Sequence, residues 1–308
     1  MKKNKNVVNN LLELVGNTPM VQINKLTKDF AGTFLAKLES ANPGHSSKDR
    51  IALHIVESAE RKGILKSGDT IIETTSGNTG FSLAMVSLIK GYQCILAVSS
   101  KSSTDKIDML RAMGAKVYVC PANVAADDPR SYYEVAKRLH SEIKGSIYIN
   151  QYFNDLNADA HYSSTGPEIW NQTDGAITHF VASLGTSGTF MGCTRFFHEH
   201  HPHVRCIAVQ PDSPFHGLEG MKHMETAMVP SIYDPSEVDQ HMEVPTEESF
   251  ALMRLVARKN GFLIGPSCAG ALWGALEVAK ELEEGVIVVI FPDSGERYTS
   301  ESHLWEDS

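Results

Sequence analysis

Lys48 lies in a segment whose residue types favour covalent chemistry. The segment Asn42–Arg50 contains a Pro-Gly turn and leads into a predicted helix. Ser46 or Ser47 can cap this helix, and Asp49 suits its first turn. An amine at the positive end of a helix loses its proton more easily than a free lysine does, which favours a nucleophile or a Schiff base. An ordinary surface lysine after a turn is the alternative that this segment alone leaves open.

A second loop is small, rich in hydroxyl groups and placed between a strand and a helix. Thr74–Gly80 follows a strand predicted over Thr70–Thr75 and opens a helix predicted over Asn78–Lys90. Backbone N–H groups at a helix start can bind an anion, and a carboxylate is a good candidate here. A plain polar turn explains the same residues equally well.

A third loop, Gly185–Thr189, predicts a phosphate site. It follows a strand predicted over Thr178–Ser183 and holds two glycines and three hydroxyl residues in five positions. It matches neither G-x-G-x-x-G nor the Walker A pattern, so the lone phosphate of a cofactor fits better than a nucleotide. A fourth loop, Gly265–Ala271, also opens a helix, and a packing turn of small residues is an equal alternative there.

Two further features have the appearance of functional sites. His198–His203 contains four histidines, but it stands at a predicted helix end before Pro202. A solvated helix C-terminus is therefore favoured over a metal site, and no metal is expected. Cys268 lies beside Ser267 without an evident base, so it is interpreted as a packing residue.

These loops must be positioned by alternating strands and helices. Strands are predicted at Thr33–Leu38, Thr70–Thr75, Cys94–Ser99, Lys116–Cys120, Ser146–Asn150, Thr178–Ser183, Arg205–Gln210 and Val286–Phe291. Helices are predicted near Asp49–Lys62, Asn78–Lys90, Thr104–Met113, Tyr133–Glu142, Gly188–His200, Glu247–Asn260 and Ala269–Leu282. This alternation predicts mainly parallel sheets covered by helices, and the number of strands favours two α/β domains. The segment Pro211–Pro245 is the least regular and is predicted to be a long functional loop.

Composition excludes several classes of partner. A chain of 308 residues with a formal net charge of −9 is long enough for two domains and too acidic for a nucleic-acid partner. No apolar run suits a signal peptide or a membrane span. The five cysteines are scattered and form no C-x-x-C pair, which favours reduced thiols in a cytoplasmic protein.

Together the four loops resemble those of the cysteine synthase (O-acetylserine sulfhydrylase) and cystathionine β-synthase family of fold-type II pyridoxal-phosphate enzymes. The resemblance runs from Gly16-Asn17-Thr18-Pro19 to Gly295-Glu296-Arg297-Tyr298, and Ala160–Trp170 continuing to Ile177–Val181 resembles the B-type cysteine synthases. It implies a tryptophan synthase β-like α/β fold with two domains. Residues 1–45 and 153–308 would form a large, discontinuous cofactor-binding domain, and residues 46–152 a small, mobile substrate-binding domain.

The resemblance also implies roles for individual residues. Lys48 is the catalytic residue and forms the internal aldimine with pyridoxal 5′-phosphate. The other cofactor-binding residues are Asn78 at the ring oxygen, Gly185, Thr186, Ser187, Gly188 and Thr189 at the phosphate, and Ser267 at the pyridine nitrogen. The substrate-binding residues are Thr75, Ser76, Gly77, Thr79 and Gln151 at the carboxylate, and Lys222. The cation of Lys222 would favour an anionic partner, with a solvated lysine on a mobile loop as the open alternative.

The implied reaction replaces the β-substituent of a serine-derived amino acid, O-acetylserine or O-phosphoserine, by a sulfur nucleophile to give L-cysteine through an α-aminoacrylate. A homodimer is expected. Serine rather than aspartate at the pyridine nitrogen makes the cofactor a weaker electron sink, which favours prompt loss of the leaving group. The alternatives are formation of cystathionine or lanthionine with release of water or hydrogen sulfide, a serine or threonine dehydratase, and a non-catalytic binding subunit.

Overall fold

The computed structural model describes residues 7–75 and 77–306 and divides the chain into two compact units. Unit 1 comprises Met1–Val15 and Asn42–Leu156, and unit 2 comprises Gly16–Ala41 and Asn157–Ser308. The cofactor and substrate roles predicted for two domains stay predictions. In the part of the chain that is described, no helix is both long and apolar enough to cross a membrane.

Strands and helices alternate along most of the described chain. The strands are β1 (Met20–Gln22), β2 (Thr33–Leu38), β3 (Thr70–Thr74), β4 (Gln93–Ser99), β5 (Lys116–Cys120), β6 (Ser146–Tyr148), β7 (His179–Ser183), β8 (Arg205–Pro211), β9 (Gln240–Val244) and β10 (Val286–Phe291). The helices are α1 (Lys48–Arg61), α2 (Asn78–Lys90), α3 (Thr104–Ala112), α4 (Tyr132–Glu142), α5 (Leu156–Tyr162), α6 (Thr165–Gln172), α7 (Gly188–His200), α8 (Thr246–Asn260) and α9 (Pro266–Ala279).

Every predicted strand and helix is present, and the described chain has four further strands and α-helices that were not predicted. The strand β1 and the helices α5 and α6 span only three, seven and eight residues. Elements this short give too little periodicity for a window of about 11 residues. The strand β9 lies within the segment predicted as one long loop, so that prediction is wrong for Gln240–Val244.

Unit 1 is built on a four-stranded parallel sheet in the order β5-β4-β3-β6. The strand β3 is buried along its whole length, as expected for a central strand of a parallel sheet. On one face, Ile72, Ile95 and Ala97 pack with Val135 and Leu139 of α4. Because β3 is central, the loop that follows Thr74 leaves the sheet at its carboxyl end, where open α/β sheets bind ligands.

Unit 2 is built on a six-stranded sheet in the order β1-β2-β10-β7-β8-β9, parallel except for the short edge strand β1. Successive residues of β10 point to opposite faces. Val288 and Ile290 join the core under α7, whereas Ile287 and Val289 join the core under α8 and α9. The two cores support the loops that follow β7 and precede α9.

A buried ion pair also fixes unit 2. Lys37 is fully buried in β2, and its amine donates to Glu168 Oε2 at 2.7 Å and to the Thr18 carbonyl oxygen at 2.8 Å. A third hydrogen bond, at 2.8 Å, reaches Gln172 Oε1. These contacts tie the segment before β1 to α6, and the loss of one charged partner would leave the other buried and uncompensated.

Candidate active site

Lys48 is the first residue of α1 and is half-buried. Its Nζ lies 3.3 Å from Ser47 Oγ, and its backbone N–H donates to Ser46 Oγ at 3.3 Å. Of the two serines predicted to cap α1, it is therefore Ser46 that accepts a hydrogen bond from the first turn. Ser47 occupies the cap position with a helical backbone and no side-chain cap.

Asp49 fixes the segment that carries Lys48. Its buried carboxylate accepts the Gly44 N–H at 2.5 Å and the Ser82 hydroxyl at 2.5 Å. A Cβ built at Gly44 would overlap that carboxylate, so the close approach requires glycine. Ser82 Oγ also lies 3.1 Å from the carbonyl oxygen of Asn78, the first residue of α2. The start of α1 is thereby joined to the start of α2 within unit 1.

The loop between β3 and α2 is organised by the hydroxyl of Thr75. Thr75 Oγ1 accepts the backbone N–H groups of Gly77 at 3.2 Å and Gly80 at 3.3 Å. Both acceptor positions of the hydroxyl thus serve the loop, and its own O–H donates to no atom of the described chain. Ser76, which was predicted to bind substrate, lies outside the described residues.

Two further predicted substrate ligands contact each other directly. The Thr79 hydroxyl donates to Gln151 Oε1 at 2.8 Å, and both residues are buried. Glu73, which was not predicted, accepts the Gln151 N–H at 3.0 Å. Burial raises the pKa of Glu73 to about 7, against the hydrogen bonds that lower it. The sequence signal for Glu73 was a charged residue inside an otherwise uncharged, fully buried strand.

The loop Gly185–Thr189 forms a cradle at the start of α7. Ser187 precedes the helix in a left-handed conformation, with φ of 64° and no side-chain cap. Within the described chain the N–H groups of Ser187 and Thr189 have no protein acceptor. A Cβ at Gly185 would collide with the carbonyl oxygen of Gly220, and a Cβ at Gly188 with the side chain of Asn157. These unpaired donors at a helix N-terminus fit a phosphate group.

Two buried residues of α5 hold the hydroxyls of this cradle. Asn157 Nδ2 donates to Thr186 Oγ1 at 3.1 Å, and His161 Nε2 lies 3.1 Å from Thr189 Oγ1. The spacing of four residues places both side chains on one face of the helix. Sequence reasoning missed them because α5 was not predicted.

Ser267 and the segment around Gly220 are the remaining parts of the candidate site in unit 2. Ser267 is the second residue of α9, is 5% exposed, and its hydroxyl makes no hydrogen bond to the described chain. Its Oγ would lie 3.9 Å from a Cβ built at Gly220. The backbone N–H of Lys222 donates to the Leu184 carbonyl oxygen at 2.8 Å. The segment Gly220–Lys222 thus contacts both the Gly185 cradle and the region of Ser267.

Lys222 is neither fully buried nor fully exposed, and its role toward a substrate stays a prediction. It is partly buried, and burial lowers its pKa. Burial together with the charges of His223 and Lys222 also lowers the pKa of His216. A cation in such a place is stabilised by an anion.

The histidine run forms the C-terminal end of α7, as predicted, and its residues His200 and His203 are exposed. His198 lies 3.0 Å from Glu237 and 3.2 Å from Asp239; burial lowers its pKa, but these two carboxylates raise it above the usual value. The ring of His201 stacks on Trp170 with a centroid distance of 3.3 Å. His198 and Asp239 also come within 4.8 Å of the Cys206 sulfur. The expected absence of a metal stays a prediction.

Cys268 is fully buried, in agreement with the packing interpretation. Its sulfur lies 3.4 Å from the Asp293 carbonyl oxygen. Burial raises the pKa of the thiol well above its usual value, so a thiolate nucleophile is disfavoured.

Comparison with known proteins identifies the class to which this chain belongs. A family model described as pyridoxal-phosphate dependent enzyme matches residues 11–293, and the chain belongs to that family. Among its relatives, the cysteine synthase of Aquifex aeolicus (strain VF5) is 42% identical over 295 residues, covering 94% of this chain and 90% of that protein. The cysteine synthase B of Pseudomonas aeruginosa is 40% identical over 290 residues, covering 94% and 95%.

A solved structure agrees with this assignment. The hydrogen sulfide-producing enzyme of Fusobacterium nucleatum superposes with a TM-score of 0.88 at 33% identity, covering 95% of this chain and 98% of that one. The expected family, the α/β fold of type II and the dependence on pyridoxal phosphate are confirmed. The chain is a pyridoxal-phosphate dependent enzyme of the cysteine synthase group.

Proposed function

We propose that this enzyme makes L-cysteine by replacing the β-substituent of O-acetylserine or O-phosphoserine with a sulfur nucleophile. The observation that carries the proposal is the hydrogen-bonded framework of unit 1. It joins Lys48, through Asp49 and Ser82, to the helix start that holds Thr75 and Thr79. An amine and a carboxylate site in one framework suit an amino-acid substrate. The names of its relatives support the same product.

The residues fit pyridoxal phosphate. We assign the phosphate to Gly185, Thr186, Ser187, Gly188 and Thr189, the pyridine nitrogen to Ser267, the ring oxygen to Asn78 and the aldehyde to Lys48. The unpaired N–H groups of the cradle and the unpaired, buried hydroxyl of Ser267 support this assignment. When bound, the cofactor withdraws electrons from the α-carbon of an attached amino acid.

Lys48 is the base that we assign to the α-proton. Its amine lies at the first residue of α1 beside Ser47 Oγ. A lysine amine in its neutral form can accept such a proton. The test is borohydride reduction of the purified holoenzyme followed by peptide mapping. Label on Lys48 supports the assignment, and label on another lysine contradicts it.

Thr75, Ser76, Gly77, Thr79 and Gln151 are the residues that we assign to the substrate carboxylate. The O–H of Thr75 is left to donate, because its oxygen already accepts two backbone N–H groups. The amide of Gln151 is held by Thr79 and by the Thr74 carbonyl oxygen, at 2.8 and 3.4 Å. A carboxylate at a helix N-terminus is also favoured by the helix dipole.

Lys222 is assigned to an anionic group of one substrate. Its partial burial and lowered pKa favour O-phosphoserine or an anionic sulfur donor such as thiosulfate. In a Lys222→Met variant we expect KM for O-phosphoserine or thiosulfate to rise about tenfold, while KM for O-acetylserine and sulfide changes little. The exposed Lys280→Met variant is the control. Equal changes for charged and neutral substrates would contradict the assignment.

Release of hydrogen sulfide from L-cysteine is the second candidate. It is favoured by the likeness to the Fusobacterium nucleatum enzyme. One comparison separates the two reactions: the purified enzyme is given O-acetylserine or O-phosphoserine with sulfide or thiosulfate, or L-cysteine alone. L-Cysteine formation in the first mixtures at a higher kcat/KM than sulfide release in the second supports the synthase, and the reverse result supports the second candidate.

The homodimer, the cytoplasmic location and the division into a cofactor-binding and a mobile substrate-binding domain stay predictions. Light scattering of the purified holoenzyme tests the first of these. A mass of one chain at micromolar concentration would contradict it.

A further inference from the structure

Glu73 is a buried carboxylate at the point where the hydrogen-bond ladder between β3 and β6 ends. The Ile149 N–H still donates to the Ile72 carbonyl oxygen at 3.0 Å. Asn150 then adopts a left-handed conformation, with φ of 51°. Beyond it, the Gln151 N–H donates to Glu73 Oε2 at 3.0 Å. A side chain thus takes over from the backbone where the two strands separate.

The other oxygen of the same carboxylate binds the last residue of β3. Glu73 Oε1 accepts the Thr74 N–H at 2.6 Å and the Thr74 hydroxyl at 3.1 Å. The carboxylate therefore bridges the end of β3 and the residue that follows the β6 segment, and it sets the spacing between them.

That spacing decides where the Gln151 side chain reaches. Gln151 Oε1 accepts the Thr79 hydroxyl at 2.8 Å, and its Nε2 donates to the Thr74 carbonyl oxygen at 3.4 Å. Both contacts depend on the Gln151 backbone lying beside Thr74. Glu73 supplies the hydrogen bonds that keep it there.

Packing alone does not explain Glu73, because burying a carboxylate costs free energy. It is 0% exposed, and among the described residues no Lys, Arg or His nitrogen lies within ion-pair distance of it. The titratable side chains near enough for its charge to raise their pKa are Tyr148 and Tyr152, both of which are neutral phenols. A buried carboxylate without a cation normally destabilises a fold, so its presence is explained by the groups that it holds.

Building on the proposed function, we propose that Glu73 is a positioning residue for recognition of the substrate carboxylate. It holds Gln151, and through Gln151 the hydroxyl of Thr79, in the arrangement that receives an amino-acid carboxylate. Glu73 itself touches neither substrate nor cofactor in this assignment.

The Glu73→Gln variant tests the proposal with almost no change of volume. Its amide oxygen can still accept from Thr74, but its NH₂ group faces the Gln151 N–H, and two donors cannot pair. We expect the dissociation constant or KM of the amino-acid substrate to rise about 10- to 100-fold, with kcat, cofactor content and the KM of sulfide within a few-fold of wild type. Glu60→Gln, at the far end of α1, is the matched control.

The preference of the enzyme for an amino acid over its amide separates a positioning role of Glu73 from a general structural effect. The holoenzyme is titrated with L-serine and with L-serinamide, and binding is followed by the absorbance of the cofactor. Wild type and Glu60→Gln should prefer the acid strongly, whereas Glu73→Gln should lose most of that preference. An unchanged acid-to-amide ratio in folded Glu73→Gln, or equal weakening of both ligands, overturns the proposal. If Glu73→Gln does not fold, the same ratio is measured for Gln151→Glu. There a preserved preference for the acid overturns it.

The binding titration also keeps this proposal apart from the proposed function. A wild-type enzyme that binds amino acids but forms no L-cysteine contradicts the function and leaves the test of Glu73 intact. A wild-type enzyme that forms L-cysteine and a Glu73→Gln variant with normal selectivity contradict only the role of Glu73.

Discussion

Two loops of this enzyme have nearly the same composition and the same place between a strand and a helix, yet they are built differently. After β3, Thr75 Oγ1 accepts the N–H groups of Gly77 and Gly80. After β7, the one backbone N–H that Thr186 Oγ1 accepts from the described residues is that of Gly188, at 3.4 Å. In the first loop the threonine hydroxyl accepts two backbone N–H groups, whereas in the second it accepts one, and the N–H groups of Ser187 and Thr189 have no acceptor in the described chain.

The two loops also differ in the contacts that hold their backbones in place. Around the first loop, Glu73 and Gln151 fix the backbone through further hydrogen bonds. Around the second, glycines approach other atoms so closely that a Cβ would collide with them, as at Gly185 and Gly188. A loop held by hydrogen bonds can adjust as a substrate carboxylate enters and leaves, whereas a steric cradle suits a phosphate that stays bound.

The largest effect is expected from filling the steric cradle. In Gly185→Ala the new methyl group would strike the backbone carbonyl oxygen of Gly220, which cannot rotate away. We expect cofactor affinity to fall roughly 1000-fold, or about 4 kcal/mol. The measurement is cofactor content after dialysis against known concentrations of pyridoxal phosphate. In the other loop, Gly80→Ala meets the flexible end of Leu110 and the methyl group of Thr75, so it should change cofactor affinity far less. Equal losses of cofactor affinity in the two variants would contradict the proposal that only the second loop binds the cofactor phosphate.

The next effect concerns the charge that supports the first loop. Burial raises the pKa of Glu73 to about 7 from 4.5, so the folded state holds this proton more tightly than the unfolded state does. The corresponding stability is present below pH 4.5 and is lost as the pH rises through about 7. The loss amounts to about 3 kcal/mol.

Urea unfolding of the cofactor-free enzyme at pH 5 and pH 8 measures this loss. The difference between the two free energies of unfolding should be smaller in Glu73→Gln than in wild type by most of that amount. The Glu60→Gln variant should keep the wild-type difference. An undiminished difference in Glu73→Gln would show that the carboxylate does not titrate in this range.

The elements that carry both loops could be predicted from sequence, because each lies between long segments of clear periodicity. The helices α2 and α7 begin and end where they were predicted, at Asn78, Lys90, Gly188 and His200. The glycines and hydroxyls of the loops were visible as composition. The local sequence predicted an anion site in each loop, and the roles of individual residues came from the family resemblance.

What supports the loops could not be predicted from the sequence in the same way. Asn157 and His161 act through α5, which spans seven residues and gives no usable period. Glu73 and Gln151 are 78 positions apart, and their contact follows from the pairing of β3 with β6. Such contacts depend on the register of the sheet, which hydrophobic patterns alone do not specify.

The two loops can also be compared by removing one hydroxyl group from each, in Thr75→Val and in Thr186→Val. Thr75→Val should raise KM for the amino-acid substrate about tenfold and leave cofactor affinity near wild type. Thr186→Val removes the acceptor of Gly188 and Asn157, and it should weaken cofactor binding by a similar factor. Both quantities are measured for both variants. If each substitution affected substrate and cofactor alike, the two loops would not have separate ligands.

The smallest expected effect is on stability, and it reports the backbone conformation of Ser187 in the cradle. Its φ of 64° lies in the left-handed region, where a Cβ is unfavourable. Ser187→Ala and Ser187→Gly both remove the hydroxyl, so their difference reports the backbone alone. We expect the glycine variant to be the more stable by about 1 kcal/mol in thermal or urea unfolding of the holoenzyme.

Ser141 in α4 provides the opposite case, since it is exposed and its backbone is helical. There the alanine variant should be the more stable by about 0.5–1 kcal/mol, because glycine is a poor helix former. A reversal of sign between the two positions supports the left-handed start of α7. The same order at both positions would mean that Ser187 is not held in that conformation, and the unpaired N–H groups assigned to the phosphate would then have no fixed direction.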